Sequence, residues 1–221
     1  MTQRSTPSLS RPLALASQVL LFASLGLAGI FAVGQEQATV KASEPTGRQV
    51  VATSGTWRGA SFPVENFQAY TSPFGYRGSP DGAPGQEFHR GLDMAAPEGS
   101  YIRNWWAGKV VEVSDNTACG TSVVIQSGEW EHVYCHMKGH VETANGVRYL
   151  SDRAGGIQLP EGLTIPAGVR IGRVGMTGRT TGPHLHWGLK YTGKWVDPAL
   201  VLRAMYADQM RARAISNRDQ G

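Results

Sequence analysis

The sequence predicts a mainly β domain, a small antiparallel sandwich or barrel-like fold with an open groove, followed by a C-terminal helix. Three observations lead there. The 221 residues include 28 Gly and 12 Pro, a density of backbone punctuation that suits many short elements joined by turns. No long stretch carries the three-to-four spacing of a helical bundle. Short segments alternating apolar and polar residues recur between Gly91 and Tyr191, the pattern of half-buried strands. With 41% hydrophobic and 17% charged residues, the length accommodates one compact domain plus an accessory segment rather than two full domains.

Arg4 and Arg11 precede a run from Pro12 to Val33 without a charged residue, and the small residues Ala32 and Gly34 suit cleavage after Gly34. That run also approaches the roughly 20 residues needed to span a bilayer. Residues 1–34 are therefore expected to be a signal peptide or an uncleaved N-terminal membrane anchor, and either one takes the domain out of the cytoplasm. A buried core helix is the reading that the charge pattern and terminal position disfavour. Residues 35–59 are polar and read as a flexible linker. The folded domain is expected over 60–200, with a helix or tail over 201–221. Candidate strands run over 91–94, 109–114, 121–127, 132–137, 169–174 and 184–191, all short and pairing antiparallel. Gly128-Glu129-Trp130-Glu131 reads as a four-residue hairpin link. The stretch 139–165 lacks clear periodicity and is expected to be an irregular loop bordering a cleft. Asp197-Pro198 then opens a helix over 199–215, with Pro near its start and Leu200, Met205 and Met210 on its apolar side.

The formal charge of +4 falls to +2 without Arg4 and Arg11. The remaining basic residues are scattered, apart from Arg203, Arg211, Arg213 and Arg218 near the C-terminus, so nucleic acid is not an expected partner. The two cysteines, Cys119 and Cys135, flank a predicted hairpin. In an oxidising compartment they can bond, which stabilises by roughly 3 kcal/mol for a loop of this size; a reduced buried pair is the alternative. The absence of a C-x-x-C pattern argues against a thiolate metal site.

All six histidines lie between residues 89 and 186. His89-Arg90-Gly91-Leu92-Asp93 sets an imidazole and a carboxylate four residues apart. His184-Leu185-His186 sets two imidazoles on one strand face, because strand side chains repeat every two residues. Zn²⁺ takes His nitrogen and Asp oxygen, and a catalytic site leaves a fourth position for water. Each motif is weak by itself; their convergence beside turn residues such as Gly91, Pro97, Gly178 and Pro183 gives them force.

The run Gly175-Met176-Thr177-Gly178-Arg179-Thr180-Thr181-Gly182-Pro183-His184-Leu185-His186-Trp187 closely resembles the signature of the lysostaphin-like (LytM-type) zinc metallopeptidases, peptidase family M23. Ser72-Pro73-Phe74-Gly75-Tyr76-Arg77 and Phe88-His89-Arg90-Gly91-Leu92-Asp93 resemble its two other landmarks, so the likeness runs from about Ser72 to Pro198. The resemblance implies one Zn²⁺ per chain held by His89, Asp93 and His186. It implies that His184 and His136, the latter ending Tyr134-Cys135-His136, are the catalytic pair beside the metal. It also implies a periplasmic or cell-envelope endopeptidase cutting stem or cross-link peptides of peptidoglycan, acting as a monomer and touching the membrane only through an uncleaved leader.

Three features depart from the family pattern. Cys135 takes the place of a small residue and Cys119 that of a Gly/Tyr-rich turn, so a disulfide can brace the hairpin bearing His136. The stretch 147–163 is longer than usual and can narrow the groove. His132 would share a strand face with His136, yet His132 and His140 match no motif position and read as rim or surface histidines. A non-catalytic member that activates another wall hydrolase, and a secreted β domain with structural zinc, are the competing readings; the complete ligand set argues against the first, and the open fourth position against the second.

Overall fold

The structure is a computed structural model and describes residues 57–220. The expected leader and most of the expected linker lie outside the described residues. Trp57 falls within the linker expected over 35–59, yet it is buried in the core and stacks near Trp105, with ring centroids 4.9 Å apart. Packing therefore reaches back at least to Trp57.

Fifteen strands and one long helix make up the described chain. The first five strands are β1 (Ala69–Ser72), β2 (Gly75–Gly78), β3 (Gln86–His89), β4 (Leu92–Ala95) and β5 (Tyr101–Arg103). The next three are β6 (Gly108–Ser114), β7 (Ser122–Ser127) and β8 (Trp130–Cys135). Then come β9 (His140–Ala144), β10 (Val147–Asp152), β11 (Ile157–Pro160) and β12 (Thr164–Ile165). The chain ends with β13 (Arg170–Arg173), β14 (His184–Tyr191), β15 (Lys194–Val196) and the helix α1 (Pro198–Arg218). The main sheet runs β1-β4-β14-β8-β7-β6-β12, with β15 also on β14; three smaller sheets are β11-β10-β9, β13-β5 and β2-β3. The ladders between these strands are antiparallel. The main sheet does not close into a barrel.

β14 shows why the sheet forms where it does. Its residues His184-Leu185-His186-Trp187-Gly188-Leu189-Lys190-Tyr191 alternate, and Leu185, Trp187 and Leu189 have no exposed surface. Each such side chain contributes about 1.5–3 kcal/mol on burial. The same alternation turns His184 and His186 to the opposite face. Trp187 stands opposite Leu92 on one side and Tyr134 on the other, so the apolar row continues across three strands.

Three expectations are corrected. The stretch 139–165 is an ordered sheet, β9-β10-β11, followed by β12 on the edge of the main sheet, rather than an irregular loop. Its tight turn uses Asn145 (φ 52°) and Gly146 (φ 75°), the Asn-Gly pair that two-residue hairpins prefer because both positions need positive φ. Leu150 and Leu159 bury into the core, and Arg173 Nε and Nη2 each donate to the Asp152 carboxylate at 2.7 Å, fastening this sheet to β13. The link between β7 and β8 is two residues long, Gly128-Glu129, because Trp130 and Glu131 belong to β8. In α1 the buried stripe is Val201, Leu202 and Met205, with Met210 exposed. The helix starts where expected: Asp197 accepts from Ala199 N at 2.9 Å and Pro198 occupies the first turn, where its missing N–H costs nothing. Among the described residues no helix is long and apolar enough to cross a membrane.

Candidate metal centre and active site

Neighbouring strands of the main sheet place most of the site. In the β4-β14-β8 register, His186 stands opposite Asp93 on one side and Cys135 on the other, so carboxylate and imidazole share one sheet face. His89 ends β3, and the two-residue link Arg90-Gly91 returns the chain into β4. A Cβ on Gly91 would lie 2.6 Å from Cε1 of His186 and 2.8 Å from the Trp187 carbonyl. Gly91 is thus required by the close approach of the imidazole.

His89, Asp93 and His186 converge. Nε2 of His89 lies 3.0 Å from Oδ1 of Asp93 and 2.9 Å from Nδ1 of His186, which is itself 2.8 Å from the same Oδ1. His89 Nδ1 donates to the Pro73 carbonyl at 2.7 Å, leaving the Nε2 lone pair for the centre. Three donor atoms with separations of 2.8–3.0 Å nearly match the edge of a tetrahedral zinc shell, about 3.3 Å for metal–ligand bonds near 2.05 Å, so the donor set fits that ion. The second carboxylate oxygen of Asp93 accepts from Arg77 Nη1 at 3.0 Å, a partner of the kind that orients metal ligands. Burial acts to raise the Asp93 pKa, but the adjoining imidazoles of His186 and His89 outweigh it and hold the carboxyl far below its ordinary range. Burial pushes His186 toward the neutral form that metal binding requires.

Two further imidazoles face this triad. His184 lies one strand repeat before His186, with Nε2 at 3.6 Å from Oδ1 of Asp93; its Nδ1 donates to the Gly182 carbonyl at 2.9 Å. His136 sits just past the end of β8 in a left-handed conformation, φ 59°, and its Nδ1 donates to the Thr177 carbonyl at 2.8 Å. Its ring centroid is 4.8 Å from that of His184 and 6.0 Å from that of His186. Burial lowers its pKa to about 4. The structure thus brings His89, Asp93, His136, His184 and His186 together and excludes His132 and His140. His132 is a fully buried core residue, correcting its reading as a rim or surface histidine, whereas His140 is exposed and pairs with Glu142 at 2.9 Å.

The site opens into a groove of about 400 Å³ bordered by Arg77, Phe88, Arg90, Cys119, Cys135 and Arg179. A second cavity of about 110 Å³ lies beside His184, Thr180 and Thr181 and also borders Arg77, His136, Arg179 and His186. Arg179, one of the residues lining both, reaches Glu87 at 2.5 Å and Asp81 at 3.4 Å. The cysteines are bonded, with Cα atoms 4.9 Å apart. Sequence reasoning singles out neither Arg77 nor Arg179 as site residues, although both lie inside the quoted landmarks; their partners are distant in sequence and carry no periodic signal.

The sequence model described as peptidase family M23 matches residues 87–150 and 140–198. A DD-carboxypeptidase/endopeptidase, Mpg, from Neisseria meningitidis serogroup B is 34% identical over 131 residues, which are 59% of this chain and 26% of that protein. The peptidoglycan DD-endopeptidase ShyA from Vibrio cholerae is 35% identical over 109 residues, 49% of this chain and 22% of that protein. This chain therefore matches about a quarter of the length of each. Among solved structures, a zinc-containing peptidase from Vibrio cholerae aligns with a TM-score of 0.48 at 26% identity, covering 65% of this chain and 38% of that one. The two family matches overlap and together run from β3 to the start of α1, about half of the 221 residues, and on that extent the chain belongs to peptidase family M23.

Proposed function

We propose that the chain is a zinc-dependent endopeptidase that hydrolyses peptide cross-links or stem peptides of bacterial peptidoglycan outside the cytoplasm. The observation that carries this is the convergence of three metal-type donors, with two more imidazoles facing them across a groove. The named activities of Mpg and ShyA support the substrate class and favour a D,D-peptide bond over a glycyl-glycine bond. The uncharged run over 12–33 supports export, as a cleaved or anchoring leader.

Zinc held by His89, Asp93 and His186 would supply a Lewis acid and lower the pKa of water there toward about 7. The carbonyl bonds of His184 and His136 assign Nδ1–H to both rings. Nε2 is thus the edge that each ring presents to the groove, accepting a proton when the ring is neutral and donating one when it is protonated. His184, nearer Asp93, is assigned to accept the proton of the attacking water. His136, on the opposite wall with its ring centroid 4.8 Å from that of His184, is assigned to receive that proton from His184, donate it to the oxyanion and deliver it finally to the leaving nitrogen.

The test is zinc content and product analysis on the full chain purified in mild detergent. About one zinc per chain, with chelator-sensitive appearance of new peptide ends from cross-linked peptidoglycan, is expected. Zinc bound without cleavage of any wall type would shift the reading to a non-catalytic activator of another hydrolase.

A further inference from the structure

We propose that the Cys119–Cys135 disulfide is a positioning element for His136, so that turnover depends on the bond while metal binding does not. The inference rests on the hydrolase reading above. His136 is a non-glycine residue at φ 59°, a conformation disfavoured by its Cβ and held where the surroundings over-determine it.

Three bonds hold His136. Its N–H donates to the Cys119 carbonyl at 2.8 Å, its own carbonyl accepts from Gly175 N at 2.8 Å, and its ring donates to the Thr177 carbonyl. The first comes from the loop between β6 and β7. The other two come from the segment after β13. These segments are themselves interlocked: Thr121 N donates to Thr177 Oγ1 at 2.8 Å, Arg179 N donates to the Ala118 carbonyl at 2.8 Å, and the Gly120 and Gly178 backbones pack with no room for a Cβ on either. His136 is thus the closing member of a ring of three segments. The disulfide is the covalent tie in that ring, joining the residue whose carbonyl receives the His136 N–H to the residue immediately before His136.

His89 and Asp93 lie on β3 and β4, outside this ring, and His186, although it stands opposite Cys135 of β8, is held from its other side by the pairing of β14 with β4. Opening the disulfide should loosen the loop and release His136 from its conformation while leaving the three ligands in place. A merely stabilising crosslink would act otherwise: it would lower the melting temperature and leave kcat unchanged wherever the protein stayed folded.

The experiment compares the oxidised full chain with Cys119→Ser, at a temperature where circular dichroism reports both folded. Zinc content, kcat, KM and amide hydrogen exchange at His136 and Met137, the latter bonded to the Thr121 carbonyl at 2.9 Å, are measured together. Cys119→Ser should keep about one zinc, hold KM within about twofold, lose roughly 10²-fold in kcat, the cost of misplacing a reacting group by about 1 Å, and lose protection at those two amides. An unchanged kcat, or a fall in kcat without local loss of protection, would overturn the proposal. If the variant does not fold, the parent is reduced with a water-soluble phosphine. That reagent takes oxygen from water to become its oxide, while the S–S bond gains two electrons and two protons. The same readouts then apply, and reoxidation should restore kcat. If the oxidised parent binds zinc but cleaves nothing, the hydrolase reading fails while amide exchange alone still decides whether the bond positions His136.

Discussion

His132 and His136 stand four residues apart on one stretch of chain, and strand alternation alone would put them on the same face. They have different fates. His132 faces inward beside Trp105, with ring centroids 4.9 Å apart, and Tyr134; its Nε2 finds no hydrogen-bond partner among the described residues. His136 faces the groove because the backbone turns left-handed one residue after β8 ends. The difference lies in the backbone pairing around each residue. Within β8 the ladder to β7 and β14 fixes the face of every side chain, whereas at its end the bonds to Cys119, Gly175 and Thr177 redirect the chain. One face of the sheet is thus an aromatic core and the other carries Asp93, His184 and His186, with His136 beside them.

The largest effects should come from breaking the groove side. His186→Ala removes a proposed zinc ligand and should abolish both zinc retention and turnover, read by metal analysis and peptide release. His136→Asn sharpens the contrast, because Asn tolerates left-handed backbone and its amide can keep the Thr177 bond while lacking the Nε2 edge. It should retain zinc and lose about 10²–10³-fold in kcat, the usual cost of a missing transition-state donor. Full activity in His136→Asn would remove that residue from the reaction.

Much of this division is legible in the sequence. The alternating run His184 to Tyr191 announces both the strand and its two faces, and His89, Asp93 and His186 sit in motifs whose spacing the register then explains. The features that escape are set by long-range geometry or by signals outweighed by composition. Asn145-Gly146 is a strong hairpin signal, yet the polar, glycine-rich surroundings of 139–165 mask four strands. Trp57 sits in a polar stretch and is held by tertiary partners, its carbonyl accepting from Gln209 Nε2 at 3.2 Å. The bonds from Arg77 to Asp93 and from Arg173 to Asp152 join residues 16 and 21 positions apart, which no periodicity encodes. His132 is misread from sequence because alternation reports which residues share a face and is silent about where the strand ends.

The core side breaks differently. Burial lowers the His132 pKa to about 3 from an ordinary value near 6.5, so the unfolded chain binds this proton more tightly than the folded one. Its contribution is fully present above about pH 6.5 and is lost as pH falls from there toward 3, at about 1.4 kcal/mol per pH unit for one proton. His132→Leu should flatten the pH dependence of stability by one proton across that window, measured by denaturant unfolding of the zinc-loaded protein. Zinc content at pH 8 should not change. An unaltered slope would show that His132 is not the group taking up the proton.

The smallest effect tests whether the two faces are separable at a distance. Helix α1 packs Val201, Leu202 and Met205 into the core side and supplies no residue to the groove. Asp197→Ala deletes the side chain that caps Ala199 N and should cost about 1 kcal/mol of stability, the ordinary value of an N-cap. Because that loss enters through the apolar face of β14, kcat and zinc content at 25 °C should stay at parental values while the melting temperature falls by a few degrees. A matching fall in kcat would mean that the same strand transmits core packing to His184 and His186, and that the two faces, distinct in chemistry, are mechanically one.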